Sequence, residues 1–320
     1  MRYNERENIV LNCLVEGETI AMRLRRTELS TPASNPHMVE KAVASSADLV
    51  FLDLEDSVSP NAKVEARQKA IHALKNLDWG KKTRAVRVND LETEYAYGDI
   101  ISVVEAAGEQ LDLLIVPKIK SANDVWWVDV LLSQIEKRLH YTRKIGLEVL
   151  IEEVEAMIHI EEIARASSRL EALIFGPADY SASQGMVSGV IEGALDAYPG
   201  DPWHYARNKI AIAARAAGID AIDGAFPDYK NLEGYRRECI HARTLGFVGK
   251  WAIHPGQIDV ANQAFSPTPE EVAYARKIDA AYAEAYANGL GAIAIDGKMI
   301  DMAIVRNLRN TLKKAELIGM

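Results

Sequence analysis

The chain has 320 residues, 48% hydrophobic and 26% charged, with a formal net charge of −9. That balance is enough for a large buried core in one big domain with an appendage, and it argues against a nucleic-acid binder, which needs clustered Lys and Arg. Cys13 and Cys239 stand far apart and outside any metal-ligand spacing, so neither a disulfide framework nor a zinc site is expected and a reducing cytoplasm fits.

Residues 1–22 read as an irregular lead-in. The apolar run Ile9 to Val15 is broken by Asn12 and has no cleavage site, and nothing approaches 20 apolar residues, so neither signal peptide nor membrane segment is expected. From Arg23 onward strand-like and helix-like runs alternate. Arg25 to Ser30 precedes a helix from Asn35-Pro36 to Ser46, and Leu49-Val-Phe-Leu-Asp-Leu-Glu55 reads as a strand buried on both faces. Pro60 opens an amphipathic helix, Ala62 to Leu77, with Ala66, Ala70, Ile71 and Leu74 on one side. The strand Thr83 to Asn89, a helix from Asp99 to Ala107, the strand Leu111 to Lys118 and a helix from Asn123 to Leu139 follow. In the last helix Trp126 and Trp127 read as core or interface packing.

The run Lys144 to Ile151 delivers Glu152, and Arg169 to Ala178 delivers Asp179, with a short helix between them. If these strands are parallel neighbours, both carboxylates emerge at one edge of the sheet, where they can hold one hard divalent cation. Ordinary polar strand ends are the plainer alternative. Trp203 to Ala217 and Leu232 to Leu245 are helices; Ala221 to Phe226 and Phe247 to His254 are strands. The alternation predicts an α/β fold, a (β/α)₈ TIM barrel spanning 23–256. Residues 257–320 break the pattern. A helix from Pro269 to Ala287, a hairpin turning at Asp296-Gly297 and a helix from Met302 to Leu317 predict a C-terminal helical cap carrying a β-hairpin flap.

A barrel of this kind keeps its active site at the carboxyl ends of its strands. The residues expected there are Arg26, Glu55, Asp56, Arg87, Asn89, Lys118, Glu152, Asp179, Asp223 and His254. Arg87 is suited to hold a carboxylate or carbonyl oxygen as a fork, or to pair with Glu55 or Asp56. Glu55 and Asp56 are suited to accept from metal-bound waters and to position Arg87. Lys118 reads as a phosphate contact or an ion-pair partner, and His254 as a ligand contact or a core histidine.

These runs form a set: Leu52-Asp-Leu-Glu-Asp-Ser-Val58, Val86-Arg-Val-Asn89, Val116-Pro-Lys118, Leu150-Ile-Glu152, Phe175-Gly-Pro-Ala-Asp179, Gly249-Lys-Trp-Ala-Ile-His-Pro255 and Ile295-Asp-Gly-Lys-Met-Ile-Asp301. In order, they resemble the citrate lyase β-subunit-like acyl-CoA lyases of the HpcH/HpaI aldolase superfamily, and among these the malyl-CoA/β-methylmalyl-CoA lyases. The resemblance implies a Mg²⁺-dependent barrel, with Mn²⁺ as a substitute, that cleaves a 3-hydroxyacyl-CoA thioester to acetyl-CoA or propionyl-CoA and the 2-oxo acid glyoxylate. It implies Glu152 and Asp179 as metal ligands, Arg87 as stabiliser of the 2-oxo acid, and Arg26 with Ile253, His254 and Pro255 as CoA contacts. It further implies a homo-oligomer, a trimer or hexamer with shared sites, in which Asp296 completes a neighbour's site. Related activities on the same scaffold are a citramalyl-CoA lyase, a malyl-CoA thioesterase and a subunit of a citrate lyase complex. The chain departs from the resemblance after Glu152, where Glu153, Val154, Glu155 and Ala156 replace the usual Thr and Gly, and the loop 181–201 is where related enzymes vary.

Overall fold

The computed structural model describes residues 23–187 and 198–320; the lead-in and the centre of the variable loop lie outside the described residues. Eight parallel strands close into a barrel in sequence order. They are β1 (Thr27–Pro32), β2 (Leu49–Asp53), β3 (Thr83–Arg87), β4 (Leu113–Val116), β5 (Gly146–Ile151), β6 (Leu170–Phe175), β7 (Asp220–Asp223) and β8 (Gly249–Ala252), and β8 pairs back onto β1. Each connection carries helix: α1 (Pro36–Val43), α2 (Lys63–Asn76), α3 (Ala96–Ala107), α4 (Ala122–Leu139), α5 (Val154–Ile158) with α6 (Ile160–Ile163), α7 (Pro177–Gln184) with α8 (His204–Ala217), and α9 (Leu232–Leu245). Parallel neighbours need such crossovers, because a tight turn cannot return the chain to the same edge.

Strand residues alternate between two cores. Leu49, Phe51, Ala85, Ile115, Leu150, Ile174, Ile222 and Trp251 fill the barrel interior, while Val50, Leu52, Val86, Leu114, Val149 and Leu173 pack outward against the helices. This period of two decides which polar residues reach the site. Asp53 continues the inward column of Leu49 and Phe51, Arg87 that of Ala85, and Glu152 that of Glu148 and Leu150.

After β8 come α10 (Ile258–Phe265), α11 (Pro269–Ala287), the antiparallel pair β9 (Ala292–Ile295) and β10 (Lys298–Asp301), and α12 (Met302–Leu317). Thr268 and Glu271 form a capping box that starts α11, and Asp301 caps α12. Asp296 and Gly297 have φ of +51° and +75°, which a type I′ hairpin requires at both central residues. The hairpin packs on a small cluster of its own, Ile278, Tyr282, Ile300 and Val305.

Trp126 and Trp127 are 59% and 40% exposed on α4, which removes core packing as their explanation. Among the described residues no helix is long and apolar enough to cross a membrane.

Candidate active site

β5 and β6 are parallel neighbours in register from Glu148↔Ala172 to Ile151↔Phe175, so the residues that follow them emerge side by side at the carboxyl edge. Glu152 is buried there, and the backbone N–H of Lys118 donates to its Oε1 at 2.9 Å. Asp179 is half-buried in the first turn of α7. Burial, and after it the charge of Asp179, pushes the Glu152 carboxyl up to about 8. A buried carboxylate whose ionisation a neighbouring acid makes costlier is what a hard divalent cation relieves. The clearance also suits this use: a Cβ at Gly176 would collide with the Glu152 carboxylate, so the glycine leaves that group room to sit against the strand end. The donors present therefore fit a Mg²⁺ site.

Arg87 is buried beside them. Its Nε and Nη2 donate to Oδ1 and Oδ2 of Asp53, both at 2.7 Å, and its Nη1 lies 2.9 Å from Oε2 of Glu55. The guanidinium rests over the Trp251 ring, 5.3 Å from its centroid. Burial alone would raise the Asp53 carboxyl, but the charge and hydrogen bonds of Arg87 outweigh it and hold the group below its ordinary value. Glu55 goes the other way: burial lifts it above its ordinary range despite Arg87 and Lys118.

Lys118 joins the two halves. Its ammonium pairs with Glu55 and stands 3.6 Å from Asp56, while its own N–H holds Glu152. Lys118 is thus an ion-pair partner of Glu55 and Asp56. Its φ is +51°, unusual for a residue with a side chain.

The expected residues do not all reach the mouth. Arg26 lies before β1, at the amino end of the barrel, where it pairs with Asp48 and bonds Ser266, so it is not brought to the carboxyl face. Asp56 is exposed and pairs with Lys118; Asp53, not Asp56, positions Arg87. Asn89 donates to the buried Asp99 and fastens α3 to β3. Asp223 ends β7 but is out of phase with the inward Ile222, and bonds Arg207 and Lys250 behind the wall. His254 is exposed at the rim, stacked on Tyr229 with centroids 4.9 Å apart, which removes the core-histidine reading; Ile253 and Pro255 are exposed beside it. Glu153, the acid that follows Glu152, accepts from Ser183 of α7, and Glu155 is exposed. Asp296 is exposed and paired with Lys277 of α11 at 2.8 Å.

Asp53 is the residue that sequence reasoning missed. A lone acid in the run Leu49-Val-Phe-Leu-Asp53, in phase with the inward Leu49 and Phe51, needs a buried cation, and strand pairing sets Arg87 opposite it.

The fold and site define a barrel enzyme that works at an acidic, arginine-bearing mouth. The profile of the HpcH/HpaI aldolase/citrate lyase family matches residues 26–255, and the chain belongs to that family. It is 43% identical to the L-malyl-CoA/β-methylmalyl-CoA lyase of Cereibacter sphaeroides over 93% of this chain and 96% of that one. It is 33% identical to the (3S)-malyl-CoA thioesterase of the same organism, over 92% and 95% of the two chains. Among solved structures it resembles CitE of Mycobacterium tuberculosis in complex with magnesium, acetoacetate and coenzyme A, with a TM-score of 0.72 and 28% identity over 91% of this chain and 97% of that one.

Proposed function

We propose that the chain catalyses the Mg²⁺-dependent, reversible cleavage of L-malyl-CoA or β-methylmalyl-CoA to glyoxylate and acetyl-CoA or propionyl-CoA. The observation that carries this reading is the mouth itself: Glu152 and Asp179 beside a forked, buried Arg87, in a chain 43% identical to such a lyase. Glu152 and Asp179 hold the metal. When bound, the cation supplies a Lewis acid for the oxygens of the 2-oxo acid.

Arg87 keeps Nε and Nη2 on Asp53 and Nη1 beside Glu55, and offers its remaining Nη–H groups to the carbonyl oxygen that forms as the carbon–carbon bond breaks. Asp53 prevents the guanidinium from swinging, so the stabilising charge is in place before the reaction. The hydroxyl proton leaves to a base, the bond electrons pass to the thioester enolate, and that enolate takes a proton at carbon. Asp296 is the acid/base for this last transfer. It acts in a neighbouring subunit of a trimer or hexamer, with 257–320 serving as the arm that carries it. What supports the shared site is its exposure on a type I′ tip at the end of a 19-residue helix, α11. With the metal bound, Glu55 and Asp56 would accept from water in the mouth, and the rim residues Ile253, His254 and Pro255 would contact CoA. A cytoplasmic setting suits a CoA-thioester substrate.

Purified chain with Mg²⁺ is incubated with malyl-CoA, β-methylmalyl-CoA and citramalyl-CoA, and products are identified by mass. Glyoxylate with acetyl-CoA or propionyl-CoA is the expected outcome. Free malate with CoA makes it a thioesterase, pyruvate makes it a citramalyl-CoA lyase, and silence from every ester points to a complex subunit. Mixing inactive Asp296→Asn and Glu152→Gln chains under exchange conditions restores activity if Asp296 works in trans.

A further inference from the structure

A second ionic cluster lies behind the barrel wall, between β7, β8 and the helices α8 and α9. Arg207 and Lys250 face three carboxylates, Asp201, Asp223 and Glu238. Asp223 and Lys250 are fully buried and satisfy each other, so the excess acid falls toward the outer edge, at Asp201. Two imidazoles stand there. His204 opens α8, and His241 of α9 places Nδ1 3.5 Å from Oδ2 of Asp201. The two rings are stacked with centroids 5.7 Å apart and planes within 6°, and Asn208 Nδ2 lies 3.0 Å from His204 Nε2, a bond given up when the ring's single lone pair turns to an ion. One ligand atom from each of Asp201, His204 and His241 lies within 4.8 Å of the others.

We infer that Asp201, His204 and His241 form a second metal site, separate from the mouth, for a borderline divalent cation of the Zn²⁺ type. Two imidazole nitrogens and one carboxylate are the donor set Zn²⁺ takes, with a water completing four-coordination, whereas the oxygen-only pair at the mouth suits Mg²⁺. Asp201 already accepts from Arg207 Nη1 at 2.6 Å and from the Trp203 N–H at 3.0 Å. A carboxylate offers about four lone-pair directions, so it keeps capacity for an ion. The uncompensated acid of the cluster offsets the repulsion between that ion and Arg207. Cysteine spacing excluded a thiolate site; the imidazoles come together only when α8 and α9 pack side by side.

The ion fastens one particular connection. Asp201 and His204 end the segment that returns from α7, and His241 belongs to the neighbouring helix. Between the two ligands, Trp203 donates from Nε1 to Ser181 Oγ, two residues beyond Asp179. Zn²⁺ therefore staples the return path of the chain that carries an acid of the mouth, without entering the mouth.

The test uses the full, tag-free chain in excess Mg²⁺, which occupies the mouth, dialysed against Zn²⁺. The expected result is a single retained Zn²⁺ per chain and a rise in Tm. Losing a ligand costs more than the 10–100-fold typical of groups behind a ligand, so His241→Ala weakens Zn²⁺ binding by more than ~100-fold and abolishes the rise. Mg²⁺-dependent turnover of that variant stays unchanged. His204→Gln, at an exposed position, gives the same loss without touching the packing of α9, and Co²⁺ shows visible ligand-field bands in the parent chain only. Equal Zn²⁺ affinity in parent and both variants, or no Zn²⁺ retained by the parent, overturns the site.

Discussion

Strand β5 carries a buried glutamate at each end of one inward column, Glu148 at the floor of the barrel and Glu152 at its mouth, about 13 Å apart at ~3.3 Å per residue. The mouth sets Asp53, Glu55, Glu152 and Asp179 against Arg87 and Lys118; the floor sets Glu28, Glu148, Glu171 and Asp220 against Arg23 and Arg25. Both ends hold surplus acid, yet they relieve it differently. At the floor, burial, opposed by Arg25 and assisted by Glu171 and Asp220, pushes Glu148 up to about 7, and burial with Glu148 raises Glu28 well above its usual range. Among the described residues Glu28 Oε1 and Glu148 Oε2 have no hydrogen-bond partner there. At the closed end burial and like charge favour the protonated carboxyls. The open end, where Asp179 and Lys118 remain half-buried, is accessible to a cation from solvent. Surplus buried acid is therefore not in itself the mark of a metal site; access from solvent separates the two cases.

The largest effect that bears on this contrast comes from neutralising the mouth. Glu152→Gln or Asp179→Asn removes a hard charged donor, and we expect Mg²⁺ binding to collapse and turnover to fall by at least ~10³-fold, equivalent to about 4 kcal/mol. Full activity of either variant in excess chelator would discard the metal assignment. Next is Arg87→Lys, which keeps the charge and loses the fork: a fall of ~10²–10³-fold in kcat is expected, as for removal of one oxyanion donor. Asp53→Asn, by loosening Arg87, lowers kcat more than it raises KM.

A smaller effect follows from the Glu152 carboxyl at about 8 in the metal-free site. Below that value Mg²⁺ must displace a proton, so its apparent affinity rises about tenfold per pH unit and levels off near pH 8. Calorimetric titration across that range reads the slope, and a flat profile would contradict it. The smallest effect is at the floor. Because Glu28 is raised in the fold, its penalty is absent below its unfolded value, grows as pH rises from there toward the folded value, and is complete above it. Glu28→Gln, which leaves the Trp251 Nε1–H an acceptor, is expected to stabilise the protein by about 1 kcal/mol at pH 8 and to change nothing near pH 4, as read from Tm. Destabilisation at pH 8 would mean that Glu28 is ionised and held by Arg25.

Most of the barrel was legible because buried parallel strands and amphipathic helices write different periods into the chain. All eight strands stand where alternation put them. Glu152 and Arg87 were legible as strand ends, and the family match follows the same runs. What stayed hidden was phase. Asp53 and Asp223 both close a strand, but Asp53 shares the inward phase of Phe51 while Asp223 follows the inward Ile222 and faces out. Arg26 was counted among the carboxyl-end residues although it stands at the start of its own run; β1 begins at Thr27 and Arg26 belongs to its entry. His254 was open between core and site because a sequence shows no solvent exposure.

Lys118 sets a limit on how far this protein can be hardened. Its positive φ is the kind of conformation a glycine would adopt without strain, at a saving of about 1 kcal/mol. The lysine is kept there with its amide on Glu152 and its ammonium on Glu55. A glycine would preserve the first bond and erase the second, releasing Glu55 beside Arg87. At this one position a search for heat resistance and a search for turnover pull in opposite directions, so a thermostable variant selected without an activity screen would tend to sacrifice the site here.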